Sequence, residues 1–176
     1  MTSTRASTIR VARRYWRVLA PKWAHDPLTG AGAARLGGRF NPPGMPALYM
    51  SEEFVTAVAE YEQDLGIRPG TLCAYDVISE RIVDLADART LETLGVDAAA
   101  LRAPWKQIAF VEKRLPPTWP LAERLRAEGI NGARVPSVRS IGLNLVLWRW
   151  NVQGAASVAA LDPLRDLPAN RSSWKR

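Results

Sequence analysis

A stretch rich in glycine and proline, residues 37–51, constrains the fold more than any other part of the chain. It reads GGRFNPPGMPALYMS, which predicts a rigid loop, a short apolar strand at residues 46–50 and then a helix start. Glycine permits positive φ angles or close backbone approach, whereas proline fixes φ at about −65°. Because a stiff loop beside a strand end can hold a charged side chain against a ligand, this stretch indicates a functional site.

Arg39, Tyr49 and Glu60 follow one another along this part of the chain. Glu60 falls in a predicted helix that begins at an N-cap, Ser51, and runs to about Leu65. The predicted apolar stripe of this helix consists of Phe54, Val58, Tyr61 and Leu65. Glu60 lies off that stripe, and a carboxylate in this position is by itself more often a solvated surface group than a catalytic one.

Length and composition exclude several classes of protein. The chain has 176 residues, 47% of them apolar and 23% charged, as expected of one globular domain. One cysteine, Cys73, excludes a disulfide framework and a cysteine-rich metal site, and we expect it to be a buried apolar residue. One histidine, His25, excludes a multi-histidine zinc site and argues against a Ser-His-Asp triad. We therefore expect no metal.

The sequence contains no apolar run long enough to span a membrane and no secretory signal at its start. With the low cysteine content, this predicts a cytoplasmic protein. The net charge of +7 predicts attraction to anions such as nucleotides, nucleic acid or an acidic partner protein. The basic residues are scattered through the chain, so charge alone is weak support for nucleic acid binding.

The rest of the chain favours the α+β class, because helices and strands interleave without a regular βαβ period. Further strands are predicted at residues 14–20, 71–78, 81–85 and 143–150, and a further helix at residues 121–128. Residues 22–38 are rich in small residues but match neither the P-loop nor the dinucleotide-binding motif. Residues 1–12 and 152–176 are predicted to be terminal extensions packed on a single domain, residues 1–176.

Two polar side chains on predicted strands have alternative interpretations. Arg17 lies in the middle of a strand, so its side chain either extends along a sheet edge or points into a cleft. Asn144 lies on a strand that we expect to be buried, and its amide therefore needs hydrogen-bond partners. It is either a structural asparagine or part of a site.

Five segments together resemble the core motif of RES-domain proteins, which are toxins of toxin–antitoxin pairs. They are GRFNPPG at residues 38–44, LYMS at 48–51, Ala59-Glu60, and VPSVR at 135–139 followed by GLNLVLW at 142–148. The characteristic Arg, Glu and Ser of the family would be Arg39, Glu60 and Ser137. Phe40 departs from the commoner Trp, and Ser140-Ile141 replaces a stretch that is usually richer in glycine.

The resemblance implies an ADP-ribosyltransferase-like single domain, with a split mixed β-sheet, flanking helices and a cleft for NAD. It implies NAD as substrate and no metal. The expected catalytic residues are Glu60, Arg39 and Tyr49. The residues expected to bind NAD are Arg39, Tyr49, Ser137, Asn144, Arg17 and Asn41.

The chemistry of these side chains suits cleavage of the nicotinamide–ribose bond. That reaction passes through an oxocarbenium-like state, which a carboxylate such as Glu60 would stabilise. The guanidinium of Arg39 can bind a pyrophosphate with two parallel hydrogen bonds, and the ring of Tyr49 offers a face for nicotinamide or ribose. Ser137 and Asn144 would hydrogen-bond the nicotinamide amide or a phosphate.

The resemblance implies a toxin that depletes NAD by hydrolysis or phosphorolysis and so arrests growth. Its partner would be an Xre-type helix-turn-helix antitoxin that covers the active site, and a homodimer is left open. The first alternative is a mono-ADP-ribosyltransferase that modifies a host protein. The second is a basic, non-enzymatic module that binds nucleic acid or protein through some of its seven tryptophans.

Overall fold

The computed structural model describes residues 6–63 and 66–174, which form one mixed α+β domain. The strands are β1 (Ile9–Leu19), β2 (Leu48–Ser51), β3 (Thr71–Asp84), β4 (Gly132–Pro136), β5 (Leu143–Leu147) and β6 (Ser157–Ala160). The α-helices are α1 (Ala31–Leu36), α2 (Phe54–Glu62), α3 (Ala88–Leu94), α4 (Ala98–Arg102) and α5 (Thr118–Ala127). Short 3-10 turns occur at Pro21–Trp23 and Arg171–Trp174, and a π-helical turn at Gln107–Val111. Among the described helices, none has the length and apolar character that crossing a membrane requires.

The sheet is mixed and divides into two halves. Its strand order is β1-β2-β5-β4-β3-β6, and β1 also pairs with β3. The pairing of β3 with β4 is parallel, and the other strand pairings are antiparallel. Within the described residues, β1 meets β2 at one residue pair, Trp16 and Ser51, whereas it pairs with β3 along most of its length. The predicted α+β class with a split mixed sheet and flanking helices is confirmed.

The two faces of the sheet pack into two apolar clusters, and β5 contributes to both. Leu145 and Leu147 belong to the cluster that contains Tyr15. Val146 and Trp148 belong to the opposite cluster. This alternation is the one that the sequence of β5 predicts, although the strand ends at Leu147 instead of continuing to residue 150.

Both segments predicted to be terminal extensions packed on the domain contribute a strand to the sheet. Strand β1 begins at Ile9, which pairs with Ile82, and Val11 is buried. At the other end, β6 pairs with β3, and Val158 is buried. Both segments are too short to show a clear period alone, and pairing with β3 is what orders them. Residues 1–5 and 175–176 lie outside the described part of the chain.

Two strands predicted at residues 71–78 and 81–85 are instead one strand, β3, of 14 residues. The polar pair between them continues the alternation of the strand. Ser79 is buried and accepts a hydrogen bond from Nδ2 of Asn131, whereas Glu80 is exposed and forms an ion pair with Arg10. In the sequence alone, these two adjacent polar residues suggest a break between two strands. Their hydrogen-bond and ion-pair partners are distant in the chain, so the local sequence does not reveal that the strand continues.

The helix that carries Glu60 differs from its prediction. Ser51 is the last residue of β2 and not an N-cap, and α2 begins at Phe54 after an N-cap at Glu53. Phe54 and Val58 of the predicted apolar stripe are exposed, and the buried residues of α2 are Thr56 and Ala57. The helix buries its small side chains because it packs closely on the sheet and on the turn after β4. It ends at Glu62, and the predicted end at residue 65 lies outside the described residues.

Candidate active site

A cavity of about 850 Å³ opens where β1 and β2 diverge beyond their single paired position. Trp16, Arg17 and Val18 of β1 form part of its wall, and residues 49–51 of β2 form the wall opposite. The predicted residues Arg39 and Glu60 also line this space. The fold thus brings the separated motif residues to one cavity.

Glu60 is held by two hydrogen bonds to the same carboxylate oxygen. Oγ of Ser137 and Nδ2 of Asn144 each donate to Oε1 of Glu60 at 2.7 Å. The carboxylate is therefore fixed through Oε1 in the wall of the cavity.

Ser137 lies behind Glu60 and not in the cavity wall. Its side chain is 2% exposed, and its Oγ accepts hydrogen bonds from the main-chain N–H groups of Arg139 and Ser140, both at 3.0 Å. The hydroxyl proton goes to Glu60. This placement does not support the predicted contact of Ser137 with a ligand, because the hydroxyl is already used on both sides.

Asn144 lines the cavity, as predicted, and its amide is held at both ends. Nδ2 donates to Glu60, and Oδ1 accepts a hydrogen bond from Oγ of Ser51 at 2.7 Å. The amide thus belongs to a chain of hydrogen bonds that starts on β2 and ends at the carboxylate. This position is compatible with both interpretations of Asn144, as a structural asparagine and as part of a site.

The main chain around Arg39 is held by three side chains that are distant in sequence. The carbonyl oxygens of Gly38 and Phe40 accept from the indole N–H groups of Trp119 and Trp148, each at 2.8 Å. The carbonyl oxygen of Arg39 accepts from Oγ1 of Thr118. Three consecutive carbonyls are therefore satisfied, which fixes the point from which the Arg39 side chain enters the cavity.

The Arg39 guanidinium lies against the end of α4. Nη1 donates to the main-chain oxygens of Leu101, at 3.2 Å, and of Ala103. Burial lowers the pKa of Arg39, and the nearby charge of Glu60 opposes this effect. Because a guanidinium remains protonated in proteins, Arg39 is a fixed positive charge, with N–H donors beyond Nη1 for an anion.

Tyr49 presents its ring to the cavity and buries its hydroxyl. The hydroxyl donates to Oδ1 of Asn41 at 2.7 Å and accepts from the main-chain N–H of Phe40 at 2.9 Å. Burial raises the pKa of Tyr49. A Cβ at Gly38 would lie 2.6 Å from the hydroxyl oxygen, so this position requires glycine. A ligand would meet the ring of Tyr49, while its hydroxyl stabilises the loop.

Asn41 organises the glycine- and proline-rich loop and does not line the cavity. It is fully buried, and its Nδ2 lies within hydrogen-bond distance of the carbonyl oxygens of Ala33, Pro42 and Met45. With Oδ1 bound to Tyr49, its amide is engaged at both ends. The predicted contact of Asn41 with NAD is therefore not supported by its placement.

Arg17 contributes to the cavity wall, in agreement with the cleft alternative of its prediction. Its Nη1 donates to the main-chain oxygen of Thr29 at 3.5 Å. Burial lowers the pKa of Arg17, and Tyr75 beside it has the opposite effect. Arg17 is thus a half-buried cation at one side of the cavity.

Sequence reasoning missed several residues of the cavity wall. Three further cations line it, namely Arg102, Lys106 and Arg139. Four further aromatic residues line it, namely Trp16, Tyr61, Trp105 and Phe110. Glu60 is the acidic residue among these described lining residues. The adjacent Trp105-Lys106 pair was visible in the sequence, but the segment around it has no period that would assign it to a site.

The segment after α4 forms another part of the cavity wall. Trp105 packs edge-on against Phe110, with ring centroids 5.9 Å apart, and in a tilted arrangement against Trp119, with centroids 6.5 Å apart. Nζ of Lys106 donates to Oε1 of Gln63, at the end of α2, at 3.1 Å. A cavity with aromatic walls, several cations and one carboxylate can bind a ligand that has planar rings, negative charges and a centre that becomes positive.

Comparison with known proteins identifies the family of this chain. Comparison of the sequence with curated proteins gives no significant match. The fold is similar to that in the crystal structure of the M. tuberculosis MbcT–MbcA toxin–antitoxin complex. The TM-score is 0.57 and the identity 20%, over 89% of this chain and 87% of that chain. The family model for the RES domain matches residues 14–170. The chain therefore belongs to the RES-domain family.

Proposed function

We propose that this protein is the toxin of a toxin–antitoxin pair and that it degrades NAD by cleaving its nicotinamide–ribose bond. The observation that carries the proposal is the state of Glu60. Its Oε1 is fixed by Ser137 and Asn144, in the wall of a cavity that is otherwise rich in cations. A fixed carboxylate of this kind is what an oxocarbenium-like transition state needs.

The proposed reaction breaks the bond between the ribose carbon and the nicotinamide nitrogen. The bonding electrons leave with nicotinamide, which departs as a neutral molecule from a cationic ring, so no general acid is needed. The carboxylate of Glu60 accepts a hydrogen bond from a ribose hydroxyl and stabilises the positive charge that grows on the ring. Water then adds to the ribose carbon and loses a proton, giving ADP-ribose. Inorganic phosphate in place of water gives ADP-ribose phosphate.

The cations of the cavity would bind the pyrophosphate of NAD. Arg39 has further N–H donors beside its bonds to Leu101 and Ala103, and Arg102 and Lys106 line the same space. Guanidinium groups bind phosphate oxygens with parallel, charge-assisted hydrogen bonds. The ring of Tyr49 would then pack on the nicotinamide or its ribose. This arrangement directs the reacting carbon towards Glu60.

We expect an antitoxin to cover the cavity. The structurally similar MbcT was solved in complex with its antitoxin MbcA. Beside the cavity of this chain, Phe110 and Phe54 are 47% and 53% exposed, and the protein carries a net charge of +7. These features suit an apolar and acidic cover, for which an Xre-type helix-turn-helix protein is our proposed candidate. An enzyme that consumes NAD would act in the cytoplasm and would need such control.

The proposal is tested by incubating the purified protein, free of any antitoxin, with NAD in buffers with and without phosphate. Nicotinamide release is followed by chromatography, and the ribose product is identified by mass. We expect Glu60→Gln to lower kcat at least about 100-fold, because it removes the charge that stabilises the transition state. Binding of NAD should persist. Glu53→Gln, an exposed change at the start of the same helix, serves as the matched control and should keep wild-type turnover.

Each alternative function predicts a different result in this assay. Labelling of a polypeptide in added cell extract, without free ADP-ribose, would replace NAD degradation by mono-ADP-ribosylation. No consumption of NAD under either condition would contradict both enzymatic functions and favour a binding module. Wild-type activity in Glu60→Gln would overturn the role assigned to Glu60.

A further inference from the structure

We infer that Ser51 is a positioning residue for Glu60 and that it acts through the side-chain amide of Asn144. This inference rests on the proposed function, because it assigns a role in the reaction that Glu60 carries out. It adds a residue to which the sequence analysis assigns no role in the reaction. In the sequence, Ser51 is a candidate helix cap and the last residue of the LYMS segment.

The hydrogen bonds form an unbroken chain across two strands. Oγ of Ser51 donates to Oδ1 of Asn144 at 2.7 Å, and Nδ2 of Asn144 donates to Oε1 of Glu60 at 2.7 Å. Ser51 is 3% exposed, so water does not readily replace its hydroxyl. Each bond in the chain has the length of a strong hydrogen bond.

The sheet itself sets the first link of this chain. Ser51 and Asn144 are directly opposite one another in the antiparallel pairing of β2 with β5. Ser51 is also the residue at which β2 meets β1, where the cavity begins. The position of the Asn144 amide is thus tied to the point at which the two halves of the sheet separate.

The chemistry of an amide explains why the hydroxyl matters. An asparagine side chain has one acceptor end and one donor end. When Ser51 donates to Oδ1, the donor end must face Glu60, where it supports the carboxylate. Without the hydroxyl, the acceptor end loses its partner, and the amide can rotate away or present Oδ1 to the negative carboxylate. Either movement removes one of the two hydrogen bonds that fix Oε1 of Glu60.

The test compares Ser51→Ala with a matched change elsewhere in the sheet. Ser79 is 4% exposed and also bonds an asparagine, accepting from Nδ2 of Asn131 at 3.1 Å, but it does not line the cavity. We expect Ser51→Ala to lower kcat about tenfold with KM within about twofold of wild type, because misplacement of a catalytic group by a fraction of an ångström has this size of effect. Ser79→Ala should lower the free energy of unfolding about as much as Ser51→Ala does, and it should leave kcat unchanged.

A second measurement does not depend on turnover. In protein labelled with ¹³C and ¹⁵N, we expect Ser51→Ala to shift the carboxyl resonance of Glu60 and the side-chain amide resonances of Asn144, while Ser79→Ala leaves them in place. Ser51→Cys retains a small side chain with a weak donor and provides a second variant if Ser51→Ala does not fold. We expect Ser51→Cys to shift the same resonances and to lower kcat less than Ser51→Ala does.

Two results would overturn the inference. One is wild-type kcat in Ser51→Ala, and the other is an unchanged Glu60 resonance in both Ser51 variants. Failure of the proposed function gives a different result, namely no consumption of NAD by the wild-type protein. In that case the resonances still decide whether Ser51 positions Glu60.

Discussion

At the scale of single residues, the site depends on side chains that are fixed by hydrogen bonds to the protein and also line the cavity. Glu60 uses Oε1 for Ser137 and Asn144. Tyr49 buries its hydroxyl in the loop and keeps its ring in the cavity wall. Such residues are rigid without being blocked, which is the property that a preorganised site requires.

The side chain of Tyr15 allows a test of how an unpaired buried hydroxyl affects the stability of the fold. It is fully buried, and its hydroxyl has no hydrogen-bond partner among the described residues. An unpaired buried hydroxyl is unfavourable, so we expect Tyr15→Phe to raise the free energy of unfolding by about 1 kcal/mol. Urea denaturation measures the change. The control is Tyr75→Phe, which removes an equally buried hydroxyl that donates to the carbonyl oxygen of Pro27 at 3.0 Å and should therefore destabilise the fold.

The same residue predicts how stability changes at high pH. Burial raises the pKa of Tyr15 to about 12, from an ordinary value of about 10. Between these two values the unfolded chain loses the tyrosine proton while the folded protein keeps it. The unfolded state then binds fewer protons, so the free energy of unfolding falls as pH rises from about 10 to about 12. Measured by urea denaturation across this pH range, the free energy of unfolding should fall less steeply with pH in Tyr15→Phe than in the wild-type protein. The same dependence on pH in both proteins would contradict the raised pKa of Tyr15.

At the scale of elements, the turn between β4 and β5 packs against α2 and holds the carboxylate of Glu60, which α2 carries. Oγ of Ser140 lies 2.9 Å from Oγ1 of Thr56, one turn before Glu60 on α2. Ser137 and Asn144 flank this turn and both bond Glu60. Helix and turn therefore behave as one unit, and a change at their contact should affect the site without touching a ligand.

Gly142 provides the test of this unit. A Cβ at this position would lie 2.1 Å from Oγ1 of Thr56, a buried side chain that cannot swing away freely. We expect Gly142→Ala to lower the free energy of unfolding by about 1–3 kcal/mol, because overpacking forces the turn away from α2. Nicotinamide release should fall well below wild type, since Ser137 and Asn144 would move relative to Glu60.

Its control is Gly154→Ala, at a positive φ angle of 73° with no other atom near the added Cβ. That variant should lose stability through backbone strain and retain activity. If Gly142→Ala kept full turnover, the turn would not be coupled to the carboxylate.

At the scale of the whole molecule, the protein has a net charge of +7, and several cations line its cavity. An anionic product such as ADP-ribose should therefore bind more weakly as ionic strength rises. It should also stabilise the folded protein, by about 2.7 kcal/mol at a concentration 100 times Kd. Thermal unfolding with ADP-ribose at low and high salt measures both effects.

The matched pair of variants for this prediction is Arg102→Gln and Arg10→Gln. Arg102 lines the cavity, whereas Arg10 forms an exposed ion pair with Glu80. We expect Arg102→Gln to raise the Kd of ADP-ribose about tenfold, the effect of losing one charge-assisted hydrogen bond, and Arg10→Gln to change it little. Equal effects of both changes would indicate that general charge, and not the cavity, attracts the ligand.

The sequence by itself determined the class of the fold, and the three residues that it marked as catalytic, Arg39, Tyr49 and Glu60, all line the cavity. It succeeded where the signal is local, as in the alternation of β5 and the rigid loop around Arg39, because side-chain period and backbone restriction are properties of neighbouring residues. It missed the start of α2 and the strand β6, whose formation depends on packing against distant parts of the chain.

Only the tertiary structure decided what each polar side chain of the motif contacts. Asn41 and Ser137 belong to the same motif as Arg39, yet one stabilises the loop and the other supports Glu60. Arg102 and Lys106 reach the cavity from a segment without a clear period. The physical reason is that hydrogen bonds between residues such as Ser51 and Asn144 depend on strand register, which is set by the whole sheet and not by the residues alongside them in the chain.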